Sequence, residues 1–175
     1  MANPETIWRN WEEVTEYLQP QLQTGRRLFR SSSPNYAGSD STQNLNQAAV
    51  DILVQRGIHR VISFNKIPYT QEELARLKQA GITYRHFPVK DFTAATIEQL
   101  REAAEFYAMG PPTSVLMHCG FGHGRTGTGV TAIQLFTTSG QNPPEDEWKS
   151  KNHVERDEQV AVLKQFRASV QSNSS

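Results

Sequence analysis

This chain has almost no cysteine, no net charge and no long apolar run, and each absence narrows its class. One cysteine in 175 residues cannot close an internal disulfide, so nothing here calls for an oxidising compartment. Eighteen basic and eighteen acidic side chains leave a formal net charge of zero, and mean hydropathy is −0.60. These values argue against a general nucleic-acid binder or a membrane-coating protein, so any preference for anions must be local. No apolar stretch approaches membrane-spanning length, and Met1-Ala2-Asn3-Pro4-Glu5 lacks the basic region and apolar core of a signal peptide. The expected place of folding is the cytoplasm, which is compatible with export through a dedicated secretion system. Internal repeats and interdomain linkers are also missing, and the length fits one domain over residues 1–175.

What is present is an alternation of helical and strand-like segments. It predicts a single α/β domain with a central, mostly parallel sheet of four to five strands flanked by helices. Ile7, Trp8, Trp11, Val14 and Leu18 recur at helical spacing and predict an N-terminal helix over residues 1–20. Leu28-Phe29-Arg30 reads as a first strand, and the Ser-, Gly- and Asn-rich stretch from Ser31 to Asn44 as a surface loop. A helix through Leu45, Ala49, Ile52 and Leu53 precedes a strand at Arg60–Phe64. Thr70 with Glu73, and Thr96 with Gln99, are capping-box signals for two further helices. Ile82–Val89 and Val115–His118 read as strands, Val130, Ile133 and Phe136 mark a helix stopped by Gly140, Pro143 and Pro144, and a last helix covers about Val154–Val170. Residues 171–175 are expected to be a disordered tail.

The densest signal is His118-Cys119-Gly120-Phe121-Gly122-His123-Gly124-Arg125-Thr126-Gly127. It sets the lone cysteine six positions before an arginine, at the turn from a buried strand into a helix. Five of the eleven glycines fall between Gly120 and Gly129, a pattern suited to a backbone that itself binds a ligand. Successive amides of Gly120, Phe121, Gly122, His123, Gly124 and Arg125 can converge on one anion, and the helix dipole adds to them. Arginine supplies a planar fork for phosphate oxygens. The same surroundings favour the charged form of a sulfur at the floor of the cradle. A nucleotide-binding loop of the Walker type needs Lys followed by Ser or Thr, and Arg125 stands in that place instead.

His-Cys, five residues, then Arg-Thr-Gly resembles the signature loop of the protein tyrosine phosphatase superfamily, in its small dual-specificity branch. Phe29-Arg30-Ser31-Ser32-Ser33-Pro34 is similar to that branch's Arg-Ser-x-x-Pro segment, and Glu155–Phe166 to its last helix with a glutamine, here Gln159. The resemblance spans Leu28 to Phe166. It implies a dual-specificity phosphatase-like fold and a cysteine-dependent, metal-independent, cofactor-free phosphomonoester hydrolase with a phosphocysteine intermediate. Cys119 is then the nucleophile, Asp91 the general acid, Arg125 and the loop amides the phosphate ligands, and Thr126 the hydroxyl that steadies the leaving thiolate. His118 would brace the loop in a supporting role. Glu98, Glu102 and Glu105 are rival acids only by proximity in sequence and read as exposed helix charges.

Substrate choice rests on the rim. His123 occupies the position held by lysine in phosphoinositide-cleaving members, so a partly charged imidazole would favour a second phosphate, whereas a solvent-facing one would not. Phe121 either stacks on substrate or fills the outer face of the loop. Asn65, Lys66 and Tyr69, after the predicted strand at Arg60–Phe64, are expected to form one pocket wall. Lys149, Lys151, His153 and Arg156 make a modest basic group that reads as a solvated face. The leading expectation is a phosphorylated protein substrate carrying phosphotyrosine or phosphoserine/phosphothreonine. The alternatives are a phosphorylated inositol compound, handled by the same mechanism, or a catalytically silent phosphate-binding module.

Overall fold

Thr70 and Thr96 open helices where the capping pattern predicts. Thr70 Oγ1 accepts from the Glu73 amide and Glu73 Oε1 from the Thr70 amide, both at 3.2 Å. Thr96 and Gln99 exchange the same pair of bonds at 3.1 and 3.0 Å. The computed structural model describes residues 3–174. Its strands are β1 (Glu12–Val14), β2 (Arg27–Ser31), β3 (Ile58–Ser63), β4 (Thr83–His86) and β5 (Ser114–His118). Its helices are α1 (Pro4–Ile7), α2 (Gln47–Gln55), α3 (Gln71–Gln79), α4 (Ile97–Ala108), α5 (Gly124–Thr137), α6 (Glu145–Ser150) and α7 (Asp157–Asn173).

The five strands lie in the order β1-β2-β5-β3-β4, with β1 antiparallel and the others parallel. Central β5 is apolar on both faces, as a doubly covered parallel strand must be, and Val115 to His118 are fully buried. One face packs against α4, α5, α6 and α7 through Met117, Leu100, Ile133, Trp148 and Phe166. The other packs against α1, α2 and α3 through Leu116, Trp8, Leu53 and Leu77. In register, Ser31 of β2 and Ser63 of β3 both stand level with His118 of β5. Three strand ends therefore converge at the carboxyl edge of the sheet, where open α/β sheets bind ligands.

The N-terminal helix expected over residues 1–20 is not formed. Asn3 caps a single turn, α1, through a 3.0 Å bond from the Glu5 amide. The chain then turns at Asn10 (φ 56°) and enters β1, where Glu12, Glu13 and Val14 pair with Arg30, Phe29 and Leu28. The apolar residues at helical spacing are divided: Ile7 and Trp8 join one core, Val14 and Leu18 the other. Residues buried on opposite faces of a sheet cannot share one helix stripe.

Other boundaries also moved. The strand expected to reach Val89 stops at His86, since Pro88 has no amide to give the ladder. Helix α5 already ends at Thr137, ahead of left-handed Ser139 and Gly140, and the prolines at 143 and 144 instead lead into α6, an element with no predicted counterpart, whose Trp148 is fully buried and donates to Pro143 O at 3.0 Å. Helix α7 continues through Asn173, so the tail expected at 171–175 is helical over its first three residues; Ser175 lies outside the described residues. Among the described residues no helix is long and apolar enough to cross a membrane.

Candidate active site

Strand β5 delivers Cys119 to the carboxyl edge, and Gly124 opens α5 five residues later. Between them the backbone bends at Gly122, whose φ of +99° suits glycine alone. A Cβ there would also lie 2.7 Å from the Ser31 carbonyl. Two of the five clustered glycines do a different job from the one expected. Gly127 and Gly129 are inside α5 and let it press against the Asn152 carbonyl and against Phe64 and Met117.

The loop's polarity is set from outside. Its successive carbonyls each accept a hydrogen bond from a donor beyond the loop. Cys119 O takes one from His118 Nδ1 (2.9 Å), Gly120 O from Ser33 N (2.7 Å), Phe121 O from Asn10 Nδ2 (2.9 Å) and Gly122 O from Arg30 Nη2 (3.0 Å). His123 O is held by Gly127 N and Gly124 O by the Thr128 hydroxyl. A trans peptide points its C=O and N–H in opposite directions. Anchoring the carbonyls outward therefore turns the amides of Gly120 through Arg125 inward, as an anion nest. Cys119 is buried, and its Sγ accepts from the Gly122 amide at 3.3 Å.

His118 is buried beneath the loop, where burial pushes its imidazole down to about 4 despite the hydrogen bond to Cys119 O. It is neutral, and because a carbonyl only accepts, Nδ1 carries the proton. Nε2 then accepts from the Tyr69 hydroxyl at 2.7 Å. The edge of Trp8 closes the site, with ring centres 5.8 Å apart. Tyr69 is thus a brace under the loop and not a rim residue. Asn65 is buried as well, its Oδ1 accepting from the Ile67 amide, and Lys66 contributes its backbone N–H to Asp40 (2.8 Å). The expected pocket wall of Asn65, Lys66 and Tyr69 is therefore not formed. The Phe64 amide continues the sheet by donating to His118 O (2.8 Å), which carries the following residues behind the loop instead of beside it.

Arg125 is gripped by Asp40, from the polar stretch between Ser31 and Asn44. Its Nη1 and Nη2 donate to Asp40 Oδ2 and Oδ1 at 2.6 and 2.8 Å, and Nη1 also bonds Val89 O at 2.9 Å. Burial alone pushes the Asp40 carboxyl up, but the bonds from Arg125 and the Lys66 amide outweigh it and hold the group below its ordinary value. Burial likewise opposes the Arg125 charge, and Asp40, Cys119 and Asp91 together more than restore it. Asp40 is the one carboxylate between Ser31 and Asn44, the only trace of its role in the sequence.

Asp91, half-exposed on the loop after β4, reaches Arg125 Nη2 with Oδ1 at 3.2 Å. Thr126 is fully buried on the first turn of α5, and its hydroxyl makes no hydrogen bond, to Cys119 or otherwise. Cys119 forms the floor of a cavity of ≈ 180 Å³. Tyr36, Phe92 and Phe121 stand around it, with Glu155 and Gln159 from the turn into α7 on the far side. Gln159 fixes that turn by accepting from the amides of Glu155 and Arg156 and donating to Thr93 O (3.1 Å). His123 lines the cavity but stacks on His153, centroids 4.4 Å apart and planes 12° from parallel. Burial, then His153 and Arg30, push its imidazole down. The partly charged imidazole considered for this position is accordingly disfavoured. The basic group is divided: Lys149 pairs with Asp157 and Lys151 with Glu16 and Glu147, away from the cavity, whereas Arg156 and His153 pack against the cavity-lining rings of Phe92 and His123.

A five-stranded α/β fold with a cysteine and an arginine at the two ends of an inward-facing amide loop defines a phosphatase of the protein tyrosine phosphatase type. The sequence profile of the Swiss Army Knife protein DSP-PTPase phosphatase domain, PTP-SAK, matches residues 27–174. The chain belongs to this family. Among solved structures, Tk-PTP in its active form is 26% identical, with 81% of this chain and 92% of that one covered and a TM-score of 0.61. PTPMT1 is 21% identical over 84% and 93% of the two chains, TM-score 0.64. The core catalytic domain of the PP-IP phosphatase SIW14 from S. cerevisiae is 20% identical over 84% and 85%, TM-score 0.59. These last two share the fold. No curated protein matches the sequence.

Proposed function

We propose that the protein hydrolyses phosphomonoesters on phosphoproteins, with phosphotyrosine as the preferred residue and phosphoserine or phosphothreonine as poorer substrates. In this reading Cys119 attacks phosphorus in line as a thiolate, forming the P–S bond as the bond to the ester oxygen breaks. Asp91 gives its proton to that departing oxygen. Arg125 and the loop amides hold the three equatorial oxygens, an interaction that strengthens as charge spreads in the transition state. Asp91, now ionised, takes a proton from the water that attacks phosphorus and returns Cys119 to the thiolate. Since Asp91 rests on Arg125, phosphate binding displaces it from Nη2 and frees it for the leaving group. Thr126 would steady the thiolate only after its unpartnered hydroxyl turns toward Sγ.

The observation that carries the substrate choice is the rim. Three aromatic rings surround a cavity whose one strong cation is Arg125, and both acidic side chains that line it, Asp91 and Glu155, repel further phosphates. Such a pocket suits one aryl phosphate better than a polyanion. The test compares kcat/KM for a phosphotyrosine peptide, the phosphoserine and phosphothreonine equivalents, and inositol polyphosphates. The phosphotyrosine peptide should lead the series, and Cys119→Ser should abolish turnover while retaining vanadate binding. A lead for inositol polyphosphates would overturn the substrate reading, and full activity in Cys119→Ser would overturn the mechanism.

A further inference from the structure

Arg30 is the one buried cation beside the loop that the mechanism above does not use. It is only 3% exposed and forms no ion pair among the described residues. A single hydrogen bond, Nη2 to Gly122 O at 3.0 Å, engages its guanidinium. The acid nearest in register, Glu12, is its partner across β1 and β2, yet Glu12 is exposed and makes no salt bridge to it. A buried guanidinium with one hydrogen bond and no counter-ion is costly unless another negative charge is close by. Burial does push Arg30 below its ordinary value, opposed by the negative charges of Glu12 and Cys119.

We infer that Arg30 is a second cation of the phosphate site, placed behind the loop as a positioning residue. Its bond orients the Gly122–His123 peptide, and its charge is balanced by the Cys119 sulfur and the bound phosphoryl dianion. The inference rests on Cys119 being the nucleophile. The same peptide unit joins the two roles: with Gly122 C=O held outward by Arg30, the His123 N–H points at the anion. A charged donor also polarises that amide more than a neutral one would. The effect is electrostatic and reaches across the loop, so Arg30 needs no direct contact with substrate.

The charge and the hydrogen bond can be separated. Arg30→Gln keeps a donor for Gly122 O and removes the charge, Arg30→Lys keeps the charge on a single-point donor, and Arg30→Met removes both at similar volume. Three readouts are taken on each purified variant: kcat and KM on an aryl phosphate, the inhibition constant of vanadate, and the pH profile of Cys119 alkylation by iodoacetamide. The charged and titratable groups facing Arg30 and the loop are Glu12 from β1, His118 from the end of β5 with Tyr69 beneath it, His123 from the loop, His153 and Glu155 from the turn before α7, Asp91 from the loop after β4, and Asp40 and Arg125; all are unchanged in the variants. Arg30→Met and Arg30→Gln should lower kcat by roughly ten- to a hundred-fold. They should also weaken vanadate and move the alkylation profile to higher pH, with Arg30→Lys restoring most of each. If Arg30→Met or Arg30→Gln leaves all three readouts at parental values, or if only thermal stability falls, the inference is overturned. If the parent protein proves inactive, the function proposed above fails, whereas the alkylation profile still decides the role of Arg30.

Discussion

Asp40 and Arg125 stand eighty-five positions apart in the chain and meet through two hydrogen bonds of 2.6 and 2.8 Å. This fork fixes the plane of the buried guanidinium, whose Nη2 also meets Asp91 at 3.2 Å. Asp40→Asn should keep the shape, lose one half of the fork and leave the half-exposed Asp91 as the only ion-pair partner of the buried cation among the described residues. Truncating one member of such a pair costs about 3–5 kcal/mol in buried settings, and the 12% exposed Asp40 side chain places the expected loss at the lower end. Activity on an aryl phosphate should fall by more than ten-fold, with KM and the vanadate inhibition constant both rising. Parental kinetics in Asp40→Asn would contradict the assignment.

Two groups of the site should leave separate marks on the pH dependence of stability. Below pH 6.5 the unfolded chain protonates His118, whereas the folded protein resists until about 4. Stability is therefore complete above pH 6.5 and lost as pH falls toward 4, by ~3 kcal/mol over that interval. Asp40 acts lower: its folded-state value is depressed, so its contribution is present above the unfolded value of 3.8 and lost as pH falls past it. Urea unfolding from pH 7 to 3 checks both. His118→Asn should flatten the upper part of the curve and Asp40→Asn the part below pH 4.

Removing the Asp91 carboxylate should separate binding from turnover. Asp91→Asn is expected to lower kcat by roughly 10²–10⁴-fold, with the smallest loss for leaving groups that scarcely need a proton. The 3.2 Å contact with Arg125 vanishes with the charge in Asp91→Ala, so inorganic phosphate should bind roughly two- to five-fold tighter, the scale of a half-exposed ion pair. Isothermal titration with phosphate reads this directly, and weaker binding would show that Asp91 is not a competitor for the arginine.

Phe121 tests the aromatic rim. It is 47% exposed, its ring lies 5.9 Å from Tyr36 and 4.6 Å from His123, and truncation should not disturb the core. Phe121→Ala is expected to lower kcat/KM for a phosphotyrosine peptide by roughly two- to ten-fold, the scale of one aromatic contact. The value for the phosphoserine peptide should hardly move. An equal loss for both peptides would mean that Phe121 shapes the loop and not the substrate preference.

How far the sequence was legible depends on whether a feature was local. The capping boxes at Thr70 and Thr96 were readable because both partners lie within one turn. The strand-loop-helix unit at Cys119 was readable because glycine, cysteine and arginine are contiguous there. The period through Ile7, Trp8, Val14 and Leu18 misled, since burial on two faces of a sheet can imitate one helical stripe. Tyr69 was placed on the rim because a strand end fixes an edge of the sheet but not whether the following chain passes beside the loop or beneath it.

The sequence by itself determined where the proposed chemistry sits: a cysteine, an arginine and a glycine-rich turn lie within seven residues, Cys119 to Arg125, so their spacing alone constrains what they can bind. Only the tertiary structure decided what holds that loop in shape. Asn10, Arg30, Ser33, Asp40 and Tyr69 come from segments far from Cys119 in sequence, and neither a carbonyl's direction nor a guanidinium's counter-ion is encoded by neighbours along the chain. Those contacts exist because β2, β3 and β5 end level at one edge of the sheet, where backbone groups with no further strand partner must find donors and acceptors elsewhere.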